Sequence, residues 1–157
     1  MATETSDFTK SKTATSDSDA SLVRGIPVYG LSLQGWWGLA FWLSFGLLIE
    51  GLIGFRTPGY LQDQMRRELF RLAHAHGTLF SMLLIFAAFS IKGGLIKPPT
   101  AAIRSLQAGT LLMPLGFLLG AVWHSETDPN VLIFLSPLGG LLILFSVISI
   151  AFSLRKN

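Results

Sequence analysis

The sequence predicts an all-α integral membrane protein, a single bundle of four transmembrane helices. Two observations lead to this prediction. Apolar residues make up 50% of the 157-residue chain and charged residues only 13%, with a mean hydropathy of +0.55, whereas a soluble domain needs a charged surface. The apolar residues are also gathered into four runs, each close to the roughly 20 residues that cross the hydrocarbon core of a bilayer.

The first segment, residues 1–24, is expected to be a disordered polar tail. It is rich in Ser, Thr and Asp, so it cannot bury enough apolar surface to offset the entropy of ordering. It also lacks the apolar central stretch of a cleavable signal peptide, and none is expected. The membrane domain is therefore predicted to occupy residues 25–157.

Four spans are predicted within this domain. They cover about residues 35–55, 72–91, 101–123 and 131–154. The first span opens with Trp36 and Trp37, which suit the aromatic belt at a membrane interface. The second is preceded by residues 60–71, in which large apolar residues recur at helical spacing. This pattern predicts an amphipathic extension of the helix at the membrane surface.

The basic residues predict the orientation of the protein. Because the number of spans is even, both termini lie on one side of the membrane. That side carries Arg24, Lys92, Lys97, Arg104, Arg155 and Lys156. The other side carries Arg56, Arg66, Arg67 and Arg71. The larger basic content of the first side predicts that both termini are cytoplasmic under the positive-inside rule.

Three ionisable residues, Glu50, His74 and His124, are the main candidates for a functional site. Each recurs at spacings of three or four with small residues of its own helix. Small residues mark helix contacts in membranes because they let backbones approach, so these side chains are expected to face protein. Hairpin connectivity brings the three helix ends to the membrane face opposite the termini. The sequence therefore predicts one buried Glu/His cluster near that face.

Three further polar residues are weaker candidates. His76 is two residues from His74, about 200° around an ideal helix, and is expected to point elsewhere. Glu126 and Asp128 lie in the short connection between the third and fourth spans. That connection is on the same membrane face as the predicted cluster.

The predicted cluster admits functions of different classes. In the favoured interpretation it fixes helix packing, and the protein is a structural or accessory membrane protein, because polar residues near an interface are less costly than at the midplane. In the alternative, Glu50 and His74 handle a proton or anchor a quinone-like or other amphiphilic ligand. A third hypothesis is a metal site, or a haem iron bracketed by His74 and His124. Whether the protein is an enzyme stays open.

Several chemistries have no signature in the sequence. Cysteine is absent, which removes disulfides and thiolate chemistry. There is no HExxH metal motif and no phosphate-binding glycine loop, and the identity of any cofactor stays open. The expected partner is the lipid bilayer, and a homo-oligomer or a larger membrane complex stays open. Nucleic acid is not expected, because the basic residues sit in short clusters between apolar runs.

The stretch from Ala73 to Gly77, which contains His74 and His76, opens an apolar helix. It resembles the histidine-bearing helix starts of small four-helix membrane proteins such as hydroxylaminobenzene mutase. The resemblance covers five residues of this chain, and the other spans carry no matching motif. No activity is carried over from it.

Overall fold

The computed structural model of the protein describes residues 28–125 and 128–155. The predicted tail, residues 1–24, and Glu126 lie outside the described residues. The described chain contains five α-helices and no strand. They are α1 (Val28–Gly54), α2 (Pro58–Leu61), α3 (Gln64–Lys92), α4 (Thr100–Val122) and α5 (Leu135–Leu154), with a 3-10 helix (Val131–Phe134) before α5.

Four segments are long and apolar enough to cross a membrane, which confirms the predicted all-α fold with four transmembrane helices. They are α1, α3, α4 and the combined segment Val131–Leu154. Tyr60 and Leu61 of the predicted extension belong to α2, whereas its residues 64–71 and the second span form one continuous helix, α3, that starts at Gln64. This helix begins there because the carboxylate of Asp63 accepts a hydrogen bond from the backbone N–H of Arg66.

The long helices pack in chain order: α1 against α3, α3 against α4, and α4 against α5. The two middle helices are therefore the most enclosed. In their most apolar stretches, 33% of the residues of α3 and 39% of those of α4 are buried, against 11% for α1 and 17% for the fourth span. The outer helices α1 and α5 present most of their apolar side chains to the surrounding lipid.

The apolar core lies in the half of the bundle that contains the start of α1 and the end of α3. It consists of Leu31, Leu84, Ala87, Ala88, Ile103 and Leu106. The opposite half, which we call the distal half, contains the end of α1, the start of α3, the end of α4 and the start of α5. The candidate ionisable residues lie in this distal half.

Glycines allow α1 and α3 to approach closely. A Cβ atom added at Gly77 would overlap the ring of Trp42, and one added at Gly46 would overlap the ring of His74. These two contacts also fix the antiparallel register of the helices. Glu50 lies one turn beyond Gly46, so it lies at the depth of Arg71, which is nearly one turn before His74.

Candidate functional site

A groove between α1 and α3 brings together two of the predicted site residues. We call it the α1–α3 groove. Its walls include Leu43, Gly46, Leu47, Glu50, Arg71 and His74, and its volume is about 490 Å³. Leu43 is 51% and Leu47 is 74% exposed, so on this side the groove opens to the lipid. The cavity therefore joins charged groups to an apolar, lipid-accessible wall.

His74 is held in the groove by a bond between helices. Its Nδ1 atom lies 2.8 Å from the backbone carbonyl oxygen of Trp42 on α1. A carbonyl oxygen only accepts, so Nδ1 carries the hydrogen and donates it. In the neutral ring the lone pair is then on Nε2. The side chain is thus fixed in position and keeps one acceptor atom for another partner.

Glu50 is exposed, which differs from the burial that the small-residue pattern predicts. The physical reason is that α1 is an outer helix, and of the long helices it packs extensively only on α3. Glu50 and Arg71 both line the groove, yet within residues 28–125 and 128–155 no hydrogen bond or ion pair joins them. The groove therefore holds two opposite charges that do not neutralise each other by contact.

Tyr60 on α2 lies within electrostatic range of both charges. Burial raises the pKa of Tyr60, Arg71 lowers it and Glu50 raises it. Its ring stacks on Phe70, with 6.1 Å between ring centroids, and Phe70 makes an edge contact with Phe45 on α1. These aromatic contacts anchor α2 beside the ends of α1 and α3. The Tyr60 hydroxyl is buried and has no hydrogen-bond partner among the described residues.

His124 lies in a second cavity, which we call the Asp63 cleft. Its walls include Gln62, Asp63, Gln64, Arg66, His124 and Ser125, and its volume is about 530 Å³. The Nε2 atom of His124 lies 2.9 Å from Oδ2 of Asp63, and Nδ1 faces the carbonyl oxygen of Ser125. Both partners are acceptors, so both contacts are satisfied when each ring nitrogen carries a hydrogen.

Asp63 is a residue that the sequence prediction missed. Burial raises its pKa, but hydrogen bonds from the backbone N–H of Arg66 and from His124 outweigh burial and hold the pKa below its ordinary value. The guanidinium of Arg66 also lies 3.4 Å from the carboxylate. Asp63 is therefore an anion at neutral pH, and its pair with His124 joins the start of α3 to the end of α4.

The predicted cluster is divided between these two cavities. Glu50 and His74 line the α1–α3 groove, whereas His124 lines the Asp63 cleft, and the two cavities have no lining residue in common. His76 faces another neighbour, since its ring centroid lies 5.2 Å from that of Phe117 on α4. Asp128 is exposed in the connection before the fourth span, where its backbone N–H donates to the hydroxyl of Ser125.

The donor groups do not fit the metal or haem hypothesis. Among residues 28–125 and 128–155, no group of three or more His, Asp and Glu side chains is arranged to hold a metal ion. A haem iron between His74 and His124 needs both imidazoles to face one space. The two rings line separate cavities instead.

Two signals in the sequence point to the residues that were missed. Asp63 precedes an amphipathic run and has the short polar side chain typical of a helix N-cap. Arg71 is three residues before His74, so both lie on one face of α3.

The fold and these cavities define a multi-pass integral membrane protein with two polar cavities in the distal half of a four-span bundle. Comparison with protein-family models, with curated proteins and with solved structures gives no match. The function is therefore inferred from the chemistry of the two cavities.

Proposed function

We propose that the protein binds an amphiphilic ligand from the bilayer in the α1–α3 groove. The polar end of the ligand lies at Glu50, Arg71 and His74, and its apolar part lies along the leucines of α1. One observation carries this proposal. The carboxylate and the guanidinium line one cavity, and neither makes a hydrogen bond or an ion pair with any residue of the described chain.

Unpaired charges close to the hydrocarbon region are costly, and a ligand that neutralises them gains that free energy on binding. The groove also has the dimensions of a small-molecule site, since its volume of about 490 Å³ falls in the usual range. His74 adds a fixed acceptor, because its Nδ1 atom is already used by the carbonyl oxygen of Trp42. The three groups together support binding and orientation of a polar head. No reaction step is assigned to them.

A structural or accessory role is the second candidate, and two contacts favour it. The bond from His74 to Trp42 joins α3 to α1, and the pair of Asp63 and His124 joins α3 to α4. In this hypothesis the polar residues serve the packing of the bundle. The two functions differ at Glu50, which makes no bond to another helix in the described chain.

Glu50→Gln therefore separates the two functions. The purified protein and the variants Glu50→Gln, Arg71→Gln and Glu68→Gln are extracted with organic solvent, and the bound amphiphiles are quantified by mass spectrometry. Glu68 is the matched control because it is an exposed carboxylate outside the groove. The ligand-binding function predicts that Glu50→Gln and Arg71→Gln lose bound amphiphile and Glu68→Gln does not. Equal retention by all four proteins supports the structural role.

We also propose that both termini face the cytoplasm. More basic residues flank the membrane on the terminal side than on the other side. Two arginines of the other side have structural partners. Arg66 donates to the carbonyl oxygen of Gly59, and Arg67 donates to that of Leu61. These bonds account for basic residues at the distal face without reversing the orientation.

A further inference from the structure

We propose that the occupant of the α1–α3 groove is a zwitterionic phospholipid with a primary ammonium headgroup, of the phosphatidylethanolamine type. Its phosphate binds Arg71, and its ammonium group binds Glu50 and Nε2 of His74. This inference rests on the proposed function, because it names the class of amphiphile that the groove takes.

Charge complementarity favours a ligand that carries both charges. Glu50 and Arg71 lie on two neighbouring helices at the same depth and line one cavity. A ligand with a single charge satisfies one of these residues and is repelled by the other. A ligand that carries both charges is attracted by both, so the groove selects a zwitterion over a purely anionic lipid.

The hydrogen-bond donors and acceptors of the groove favour a primary ammonium group. The carboxylate of Glu50 only accepts, the guanidinium of Arg71 only donates, and the neutral ring of His74 offers a lone pair on Nε2. A primary ammonium group has three N–H donors and so can serve both acceptors. The trimethylammonium group of a choline lipid has none. The phosphate accepts the parallel N–H bonds that arginine makes with oxyanions.

The position of the groove relative to the bilayer suits a phospholipid headgroup. Glu50 is four residues from the end of α1, which is about 6 Å along the helix axis. This depth is close to the interface, where phospholipid headgroups lie. Leu47 and Leu43 follow toward the middle of the membrane, and both are exposed. An acyl chain can therefore lie along these leucines while the headgroup occupies the charged end.

The test uses the full chain, delipidated in detergent. Dioleoyl phosphatidylethanolamine, dioleoyl phosphatidylcholine or dioleoyl phosphatidylglycerol is added back separately, and bound lipid is counted by native mass spectrometry. The expected result is that the ethanolamine lipid binds about tenfold more tightly than either of the others, a factor equal to about 1.4 kcal/mol. Equal affinity for the ethanolamine and choline lipids would overturn the headgroup assignment.

The variants identify which contact gives the preference. Glu50→Gln should abolish the preference for ethanolamine over choline, because the ammonium group loses its counter-charge. Arg71→Gln should weaken the binding of the ethanolamine lipid and of the choline lipid equally, because both lipids carry the phosphate. Glu68→Gln is the control and should bind like the unchanged protein. A preference that survives Glu50→Gln would contradict the inference.

Two outcomes separate this inference from the proposed function. Lipid binding that depends on Glu50 or Arg71 but shows no headgroup preference overturns the inference and leaves the amphiphile-binding function in place. Lipid binding that is unchanged by both Glu50→Gln and Arg71→Gln overturns both proposals. Soluble glycerophosphoethanolamine is a further arm of the experiment. If it displaces the lipid at comparable concentration, the ligand comes from the aqueous phase, and the assignment to a membrane lipid is wrong.

Discussion

The Nε2 atom of His124 lies 2.9 Å from Oδ2 of Asp63, and this contact joins the end of α4 to the start of α3. The same carboxylate caps α3, because its Oδ1 atom accepts a hydrogen bond of 2.9 Å from the backbone N–H of Arg66. One aspartate therefore supports both the start of a helix and its contact with a neighbouring helix. The two roles are separable by substitution.

Asp63→Ala removes both roles, whereas Asp63→Asn keeps a side chain that can cap the helix. We expect Asp63→Ala to lower the free energy of unfolding by about 2 to 3 kcal/mol and Asp63→Asn by about 1 to 2 kcal/mol. Denaturant titration in detergent, followed by circular dichroism, measures both changes. Glu68→Gln is the control, and its effect should be close to zero because that side chain is exposed. Equal effects of the two Asp63 substitutions would show that the cap contributes nothing.

Acid should lower the free energy of unfolding by protonating Asp63. The pKa of this carboxyl group is held below its ordinary value of 3.8, so its contribution to stability is complete above that value. The contribution is lost as the pH falls through the lower folded-state pKa. The basic side chains in contact with Asp63 are those of Arg66 and His124. Unfolding midpoints are measured as a function of pH for the unchanged protein and for Asp63→Asn. The two sets of midpoints should converge below the folded-state pKa of Asp63. A difference that persists there unchanged would contradict this assignment.

Hydropathy was sufficient to predict the fold, because four apolar runs of spanning length leave few alternatives. Small-residue spacing also predicted that Glu50 and His74 lie on facing helices, and both line one groove. The spacing could not show which helices are neighbours. Of the long helices, α1 packs extensively only on α3, whereas His124, after the end of α4, contacts Asp63 at the start of α3 rather than α1.

The contact between His124 and Asp63 depends on where α3 begins and on the direction in which it continues. Residues 60–71 were predicted as an amphipathic extension of the second helix at the membrane surface. In the structure α3 begins at Gln64 and runs without a break into its span, and its first turn lies beside the end of α4. This brings Asp63 to His124. Periodicity identifies the face of a helix but not the axis along which the helix continues.

Gly46→Ala should disturb the α1–α3 groove. An added Cβ at this position would overlap the imidazole of His74, which is fixed by its bond to Trp42. We expect a loss of about 1 to 3 kcal/mol in the free energy of unfolding, the usual cost of overpacking. Gly51→Ala is the matched control on the same helix, because no atom lies within 4 Å of its added Cβ. A stability of Gly46→Ala equal to that of Gly51→Ala would show that His74 adapts without cost.

Gly139→Ala should separate α4 from α5. Its added Cβ would lie 2.5 Å from the backbone nitrogen of Met113, which cannot move without shifting α4. The adjacent Gly140 is a strict control, because its added Cβ meets only the flexible sulfur of Met113, at 3.8 Å. We expect a loss of more than about 1 kcal/mol for Gly139→Ala and less than about 0.5 kcal/mol for Gly140→Ala. A larger loss for Gly140→Ala than for Gly139→Ala would indicate a different rotation of α5 about its axis.

The last prediction concerns the orientation of the spans. The chain has no cysteine, so single cysteine substitutions can be labelled without background by a membrane-impermeant maleimide. Four spans with both termini in the cytoplasm predict that Thr127→Cys is labelled in intact cells. Leu95→Cys, whose position is exposed between α3 and α4, and Asn157→Cys should be labelled only after lysis. The inverted pattern would keep the four spans and reverse the orientation. Labelling of Thr127→Cys and Asn157→Cys from the same side would refute the four-span topology itself, because the span Val131–Leu154 lies between the two positions.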